Sequence, residues 1–470
     1  MRDVAAILAL AVWPMLCQAQ GILAGALPAP IVTQNPVETC LNSRYSQHTL
    51  SRAAARVQQM SNILWAAGRA PVTGSYRNIF VATPSGTYRY DPTDHSLSWH
   101  SDEVVSDGGF AIIYDAQLEF DAGVMFMPAI LASVSLARST ESPVACCPKG
   151  IGYPTTRLIF GVQPVTDLTT QLAARCSVAP EQPGWLPDPS MTGDNSLEGV
   201  LADLKYVDSL MQTDLTSHQV SQILWAGYGC TAHVTSNGRA GLTVPSAYAN
   251  YYLSQSIYLV NEDGVHRYQN RDPSTNPGTR DHRLEPLGPA DGDARRRPGS
   301  ESENPDPADA RPRLQSAVSG LPKAPCYVVL CLDSSNVGQP YAQLEVGFVA
   351  GSMLLQASAI GLGCCFRTGL SSAEQRSVQA ATSIDASRVP QAIVCIGPIA
   401  VSPALEGDAN RDHMVDLADY VILSSSWRSS KSQPWYDGRA DFDRDGLIDV
   451  ADLRLLATNW LETMPAATAP

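Results

Sequence analysis

Four short patterns occur twice along this chain, in the same order, and that repetition constrains its fold more than any other feature. Ser61-Asn62-Ile63-Leu64-Trp65-Ala66-Ala67-Gly68 is echoed by Ser221-Gln222-Ile223-Leu224-Trp225-Ala226-Gly227-Tyr228. Ile79-Phe80-Val81-Ala82, Gly86-Thr87-Tyr88-Arg89-Tyr90-Asp91 and His95-Ser96-Leu97 return as Ile257-Tyr258-Leu259-Val260, Gly264-Val265-His266-Arg267-Tyr268 and His282-Arg283-Leu284. Phe120-Asp121-Ala122-Gly123 pairs with Leu344-Glu345-Val346-Gly347, and Leu158-Ile159-Phe160-Gly161 with Val394-Cys395-Ile396-Gly397. Chance does not keep four matches in order, so the sequence reads as one unit written twice.

Each copy reads as helix, strand, turn, strand, long helix, strand. The strands around Tyr88 and Arg267 are short, rich in β-branched and aromatic residues, and bounded by Gly, Asp and Asn, which is hairpin chemistry. The helices opening at Asp121 and Glu345 are apolar nearly all round and must be buried on every side. Two such helices predict that the copies pack through them as an intrachain pseudo-dimer, in an α+β fold. The copies span about residues 40–180, the more degenerate one, and 197–402. The second holds an insertion over 285–325 with Arg295-Arg296-Arg297 and Asn304-Pro305-Asp306-Pro307, which predicts a mobile, solvated surface loop rather than a phosphate site.

Composition excludes several classes. With 470 residues, 44% hydrophobic and 17% charged, the chain can bury large cores. A formal charge of −14 argues against nucleic-acid binding, which demands a basic face. The apolar run from Val4 to Cys17 is too short to span a bilayer but suits a signal peptide over residues 1–20, so the protein is expected to be exported. No other segment reads as a membrane span; the run from Val346 to Leu362 is broken by Gly347, Gly351, Ser352, Gln356 and Ser358. Outside the leader remain Cys40, Cys146, Cys147, Cys176, Cys230, Cys326, Cys331, Cys364, Cys365 and Cys395, with no Cys-X-X-Cys among them. Disulfides and buried thiols both stay open, and connectivity is not readable from sequence.

The ordered set Ile223-Leu224-Trp225-Ala226, Arg239 with Val244-Pro245-Ser246-Ala247, Gly264 to Tyr268, Gly292-Asp293-Ala294-Arg295, Leu344-Glu345-Val346-Gly347 and Gly361-Leu362-Gly363 resembles the nitroreductase superfamily, and within it the SagB-type dehydrogenases that include thiazole- and oxazole-forming oxidases. The resemblance covers about 200–400 well and 40–165 more weakly. It implies FMN held at a dimer interface with both subunits contributing, which a tandem chain would supply by itself. The flavin carries the redox chemistry, so no catalytic triad is required and no catalytic side chain is singled out. Pro245 and Ser246 occupy the family segment along the flavin ring and its phosphate tail. The following Tyr248-Ala249-Asn250-Tyr251-Tyr252 departs from the family's Gly-Ala-Leu-Tyr-Pro. Gly361, Leu362 and Gly363 match the turn after the long helix, although such a turn is also an ordinary helix C-cap. The family's phosphate-binding arginines are replaced by Leu204-Lys205-Tyr206 in the second copy, while Arg44 is the one remnant in the first. Arg388 matches a position where a basic side chain approaches the phosphate, and also reads as a plain surface arginine. Only ten residues separate Gly68 from Ile79, so the first copy lacks the Pro-Ser loop and at most one FMN is expected.

A different pattern ends the chain. Asp408, Asn410, Asp412, Asp416 and Asp419, then Asp441, Asp443, Asp445, Asp449 and Asp452, fall at positions 1, 3, 5, 9 and 12 of calcium loops, with the carbonyls of Met414 and Leu447 at position 7. Each loop leads into one helix and lacks an incoming one. Loop plus one helix, repeated over 405–463, resembles a type I dockerin, a small α-helical module. That resemblance implies two bound calcium ions and attachment to a cohesin-like domain or cell-surface scaffold. The apolar positions Val421, Leu423, Leu455 and Trp460 read as the module's core or as its docking face.

The expected function is therefore an exported FMN-dependent oxidoreductase acting on a small-molecule or peptide substrate and tethered by a dockerin. The alternative is a flavin-less scaffold of the same fold, docked in the same way.

Overall fold

The computed structural model describes residues 24–462 except 47–49, 52–54, 72–77, 106–108, 116–118, 140–143, 148–155, 163–183, 205, 236–239, 247–248, 272–279, 288–308, 400–406, 410–413, 431–432, 434–435, 438 and 444. The leader, Asn410 and Asp412 thus lie outside the described residues. The chain divides into two compact units, 1–398 and 399–470.

In the first unit, β1 (Gly25–Ala26), α1 (Val37–Ser43) and α2 (Val57–Arg69) precede β2 (Asn78–Thr83), β3 (Gly86–Asp91), β4 (Ser96–Ser101) and β5 (Phe110–Asp115). The long α3 (Glu119–Ser139), β6 (Val144–Cys147) and β7 (Thr156–Val162) complete this half. The second half runs α4 (Leu197–Ala202), α5 (Ser217–Tyr228), β8 (Cys230–Val234), β9 (Ala240–Leu242), β10 (Ile257–Asn261), β11 (Gly264–Arg271) and β12 (Arg280–Pro286). It ends with α6 (Arg311–Ala317), β13 (Cys326–Asp333), α7 (Pro340–Ala359), β14 (Leu362–Thr368), α8 (Ser372–Thr382) and β15 (Arg388–Pro398).

One sheet has the order β1-β4-β3-β2-β5-β7-β6 and the other β12-β11-β10-β13-β15-β14, so apart from the edge strand β1 the two orders coincide element for element. The sequence predicts two strands before each long helix and one after; the part common to the two large sheets has four before and two after, with the edge strand β1 and the separate β8–β9 pair in addition. The missed strands lack alternation: β13 is buried along nearly its whole length, and β4 is a mostly polar, exposed run. Two-residue turns join β2 to β3 and β10 to β11, with φ of +137° at Gly86 and +119° at Gly264, which side-chain-bearing residues rarely adopt.

The long helices are buried as expected. By length and composition α3 would also cross a membrane, yet 94% of its apolar window is inside the core. α3 and α7 meet at glycines: a Cβ on Gly123 would overlap the Leu344 carbonyl, and one on Gly347 would overlap the Phe120 carbonyl. Each half also carries a strap that the echoes did not include. Leu27-Pro28-Ala29-Pro30 and Leu186-Pro187-Asp188-Pro189 are bound alike. Leu27 N–H donates to His95 O and Leu186 N–H to His282 O, both at 2.9 Å. Ser61 Oγ donates to Pro28 O and Ser221 Oγ to Pro187 O. Each hydroxyl therefore accepts from a histidine Nε2 (His95, 2.8 Å; His282, 2.7 Å), while Tyr90 and Tyr268 donate to the Nδ1 atoms. Burial lowers both histidine pKa values, that of His282 to about 4.

The insertion departs from expectation. Residues 288–308, with Arg295–Arg297, lie outside the described residues, but 309–325 form no loose loop. Ala310, Leu314, Val318 and Ala324 are buried around α6, and Arg311 is tied to Asp309 and Asp214. Mixed charge and proline hid an amphipathic helix with Pro at its start.

The second unit holds α9 (Leu417–Ser425) and α10 (Val450–Thr458), capped by Asp416 and Asp449, whose side chains accept from Ala418 N and Ala451 N. Val415, Leu423, Ala440, Ile448 and Leu456 form its core.

Gly347→Ala is expected to lower stability by about 1–3 kcal/mol through overpacking at the helix crossing, measured as a lower denaturation midpoint against Gly351→Ala, whose added Cβ would lie 3.2 Å from its nearest neighbour.

Candidate functional site

The halves differ most between the first helix and first strand of each sheet. In the first half α2 ends at Arg69 and β2 begins at Asn78; in the second, the β8–β9 hairpin and a long loop intervene. Arg44, just past α1, crosses to that hairpin. Its guanidinium donates to Leu242 O at 2.6 Å and approaches His233 Nε2 at 3.5 Å, and the residue is only 2% exposed. His233 Nδ1 is 2.6 Å from Thr231 Oγ1, so the ring presents Nε2 to Arg44 as an acceptor and donates from Nδ1. Thr243 N–H donates to Gly229 O and its hydroxyl to Trp225 O, holding the chain as it enters Val244, Pro245 and Ser246.

From Ser246 the loop turns back on itself. Ser246 O accepts from Ala249 N–H at 3.1 Å, and Ser246 Oγ accepts from Tyr251 N–H at 2.8 Å. Ala249, Tyr251 and Gln255 hold φ of +52°, +54° and +62°, left-handed values at side-chain-bearing residues. Beneath the loop lies Glu345 of α7, which is buried. Its Oε1 accepts from the Tyr228 hydroxyl at 2.5 Å and from Leu253 N–H at 3.3 Å. Burial pushes this carboxyl up to about 7, against the opposing pull of the Ser246 and Tyr228 hydroxyls and the Leu253 and Tyr252 N–H groups. Glu345, Tyr228 and His233 were not among the expected site residues. The signal for Glu345 was present: it is the sole ionisable residue in an apolar run from Leu344 to Leu355.

The same loop walls a cavity of about 610 Å³ lined by Asn250, Tyr251, Tyr252, Ser254, Asp333, Asn336, Gln339 and Arg388. Arg388 pairs with Asp333 at 3.4 Å and donates to Ser256 Oγ at 3.0 Å. Hydrogen bonds from the Ser335 hydroxyl and N–H hold the Asp333 carboxyl below its usual range, with Arg388 adding to the effect.

The expected cofactor residues therefore do not form one group. Arg44 and the Pro245–Ser246 segment come together across the two halves. Arg388 lies on the cavity side of the loop. Gly361, Leu362 and Gly363 sit at the other end of α7 from Glu345, about 20 Å away along the helix. Gly361, with φ +75°, ends α7, its N–H donating to Ser358 O, and Gly363 pairs with Gly397 in the β14–β15 ladder. This is the C-cap reading, and the glycine turn is removed from the site built around Ser246. At the place of the lost arginines in the second half, Tyr206 exchanges hydrogen bonds with Phe366, its hydroxyl donating to Phe366 O and accepting from Phe366 N–H, both at 2.9 Å. As a fit for FMN, the described residues supply a buried cation and an adjoining backbone turn at one place only.

In the second unit, oxygens of Asp441, Asp443 and Asp452 lie within 4.8 Å of one another. Asp441 Oδ2 accepts from the Tyr436 hydroxyl and Gly446 N–H, while its Oδ1 is buried and accepts no hydrogen bond. Asp445 Oδ1 accepts from Leu447 N–H, and Asp449 caps α10. In the earlier loop Asp416 caps α9 and Asp419 accepts from Asp416 N–H; Asp408 and Met414 flank residues outside the described set. Leu423 is core, whereas Val421 and Trp460 are exposed, as are Leu417, Val450 and Leu461.

Residues 210–398 match the nitroreductase family. No curated protein matches the chain. Among solved structures, a protein assigned as a nitroreductase from Ralstonia eutropha JMP134 is 22% identical, over 48% of this chain and 94% of that one, with a TM-score of 0.35. One assigned likewise from Anabaena variabilis is 12% identical over 81% of this chain and 94% of its own, with a TM-score of 0.44. The E. coli microcin synthetase McbBCD complex, with truncated pro-MccB17 bound, is 15% identical over 41% of this chain and 66% of its own, with a TM-score of 0.29.

Glu345 makes stability depend on pH. Its carboxyl titrates near 7 folded and near 4.5 in its ordinary state. Its contribution is thus complete below pH 4.5 and is lost as pH rises through 7, a change of about 3 kcal/mol. Glu345→Gln is expected to flatten that dependence, measured by urea midpoints of both proteins from pH 5 to 8.

Proposed function

We propose that the chain is an exported, SagB-type FMN-dependent oxidoreductase with one flavin site, attached to its partner by a calcium-loaded dockerin. The observation that carries the redox half is Arg44 from one half binding Leu242 O, three residues before Pro245 of the other. The shared strand order, the matching straps and the glycine contact support reading residues 24–398 as a duplicated unit folded into an intrachain pseudo-dimer. Flavin, when bound, supplies hydride chemistry. Arg44 would hold its phosphate, and the Pro245–Ser246 backbone would lie along it, while Glu345 fixes the loop that follows. The adjoining polar cavity suits a small-molecule or peptide substrate. Arg388, with Asp333 beside it, belongs to that cavity rather than to the phosphate.

Two calcium ions per chain are proposed for the second unit. Support comes from the converging Asp441, Asp443 and Asp452 oxygens and the buried, unsatisfied Asp441 Oδ1. Exposed Leu417, Val421, Val450, Trp460 and Leu461 would face a cohesin-like domain or a cell-surface scaffold.

A flavin-less scaffold is the second reading, favoured by the engagement of Ser246 Oγ with Tyr251 N–H and of Arg388 with Asp333. Gel-filtered protein mixed with FMN separates the two: one tightly held flavin per chain supports the oxidoreductase, and colourless protein supports the scaffold. Arg44→Ala is expected to weaken FMN binding about 10- to 100-fold, the loss of a charge-assisted contact, read by flavin fluorescence titration.

Calcium in hundredfold excess over its dissociation constant is expected to stabilise the second unit by about 3 kcal/mol. Thermal melts with calcium and with chelator check this, and Asp441→Asn is expected to remove most of the difference.

A further inference from the structure

We propose that Cys365 and Cys395 are a redox pair that closes into a cross-strand disulfide when the chain folds in the presence of a disulfide oxidant. The two residues stand directly opposite each other in the antiparallel β14–β15 ladder. Both are buried, at 1% and 0% exposure, and the Cys365 side chain is near enough to influence the Cys395 thiol. Directly opposed residues in such a ladder have Cα atoms about 4.5–5.5 Å apart, inside the window of about 4.4–6.8 Å that a disulfide requires.

Register removes the competitors among the described cysteines of this sheet. Cys326 and Cys364 both face Ile396, from opposite sides, so a whole strand separates them. Cys364 adjoins Cys365 in sequence and therefore points to the other face of the sheet. Cys331 is opposite Pro390. The first half supplies an internal comparison: Cys146-Cys147 occupy β6 as Cys364-Cys365 occupy β14, but Cys147 is opposite Ile159. The cysteine opposite the dipeptide is present in one half alone.

The oxidant is a small-molecule disulfide such as oxidised glutathione. One thiolate attacks its sulfur, forming a mixed disulfide and releasing one thiol. The second cysteine then displaces the remaining sulfur and releases a second thiol. Two protein thiols are oxidised, one disulfide is reduced to two thiols, and the two protons pass to the released thiols. The neighbouring Cys365 thiol and then burial raise the Cys395 pKa, so exchange belongs to the folding chain, before the sheet closes over the pair. The bond would enclose α8 in a covalent ring and fasten β15, the last strand of the first unit.

The test refolds the reduced, denatured full chain in a mixture of oxidised and reduced glutathione. Free thiols are then blocked with iodoacetamide, and the protein is digested without reductant for peptide mass mapping. A Cys365–Cys395 linked peptide is expected, retained in Cys364→Ser and lost in Cys395→Ser, where Cys365 becomes alkylated. Reduction is expected to lower the denaturation midpoint of the oxidised wild type and to leave that of Cys395→Ser unchanged. Alkylation of both Cys365 and Cys395 in the refolded wild type, or linkage of Cys365 to another cysteine, would overturn the proposal. The wild-type map decides the matter by itself if a variant fails to fold.

Discussion

The first unit depends on two helices approaching until their backbones touch. Gly123 and Gly347 face each other across the α3–α7 crossing, each standing where any side chain would strike the other helix's carbonyl. Neither helix has a polar face, so neither could sit at the margin of its own sheet. α2 packs on α3 and α5 on α7, and the two long helices bury what remains against each other. A buried helix without a hydrophobic stripe is stable only when apolar neighbours surround it. The contact thereby makes the two sheets parts of one core and brings residues such as Arg44 against the opposite half.

Around that centre the two halves solve one polar problem in the same way. Each strap carries backbone groups over a sheet edge, and each is pinned by a Ser-His-Tyr set in which every polar atom has a fixed role. The serine donates to a proline carbonyl and the tyrosine to Nδ1, so the histidine is held neutral with its proton on Nε2. Burial depresses both histidine pKa values and so favours the same neutral state. Asn62 and Gln222 repeat the logic by bonding both backbone groups of Ile31 and Ser190 respectively.

What the sequence disclosed follows from which interactions are local. The echoes around Trp65 and Trp225 are legible as repeated short patterns, and the long helices as apolar runs with no polar face, both local features of the chain. The Leu-Pro-X-Pro straps were present twice but lie in proline-rich stretches that resemble linkers, and their partners are distant histidine carbonyls. β13 escaped because a strand covered on both faces shows no alternation. The carboxylate spacing of Asp441, Asp443 and Asp452 was visible, whereas Asp441 Oδ1 as a buried acceptor without a donor needed coordinates. Around the candidate site, Arg44 and Ser246 were identifiable singly, but their separation from Gly361 was not. Motif order places residues along a chain and does not say at which end of a helix they fall.

Where the halves agree, physics of packing suffices as an explanation; where they differ, something else has shaped the sequence. The prolines of the straps, the glycine after each hairpin turn and the glycines of the helix crossing recur at corresponding positions, and the Ser-His-Tyr sets that pin the straps are neutral and satisfied. The departures are a shorter buried acid, Asp121, where the second half has Glu345, and a direct connection where the second half has the Arg44-bound hairpin and a strained loop. Ile159 stands where the second half has Cys395. Strain at Ala249 and Tyr251 and a carboxyl held near neutrality cost stability that the plainer half shows to be avoidable. The acid, the Arg44-bound hairpin and the strained loop meet in one place in the second half, whereas Cys395 stands apart from them on β15, opposite Cys365. That meeting of the acid, the hairpin and the loop is what supports the single site proposed above, to which Arg44 of the first half contributes.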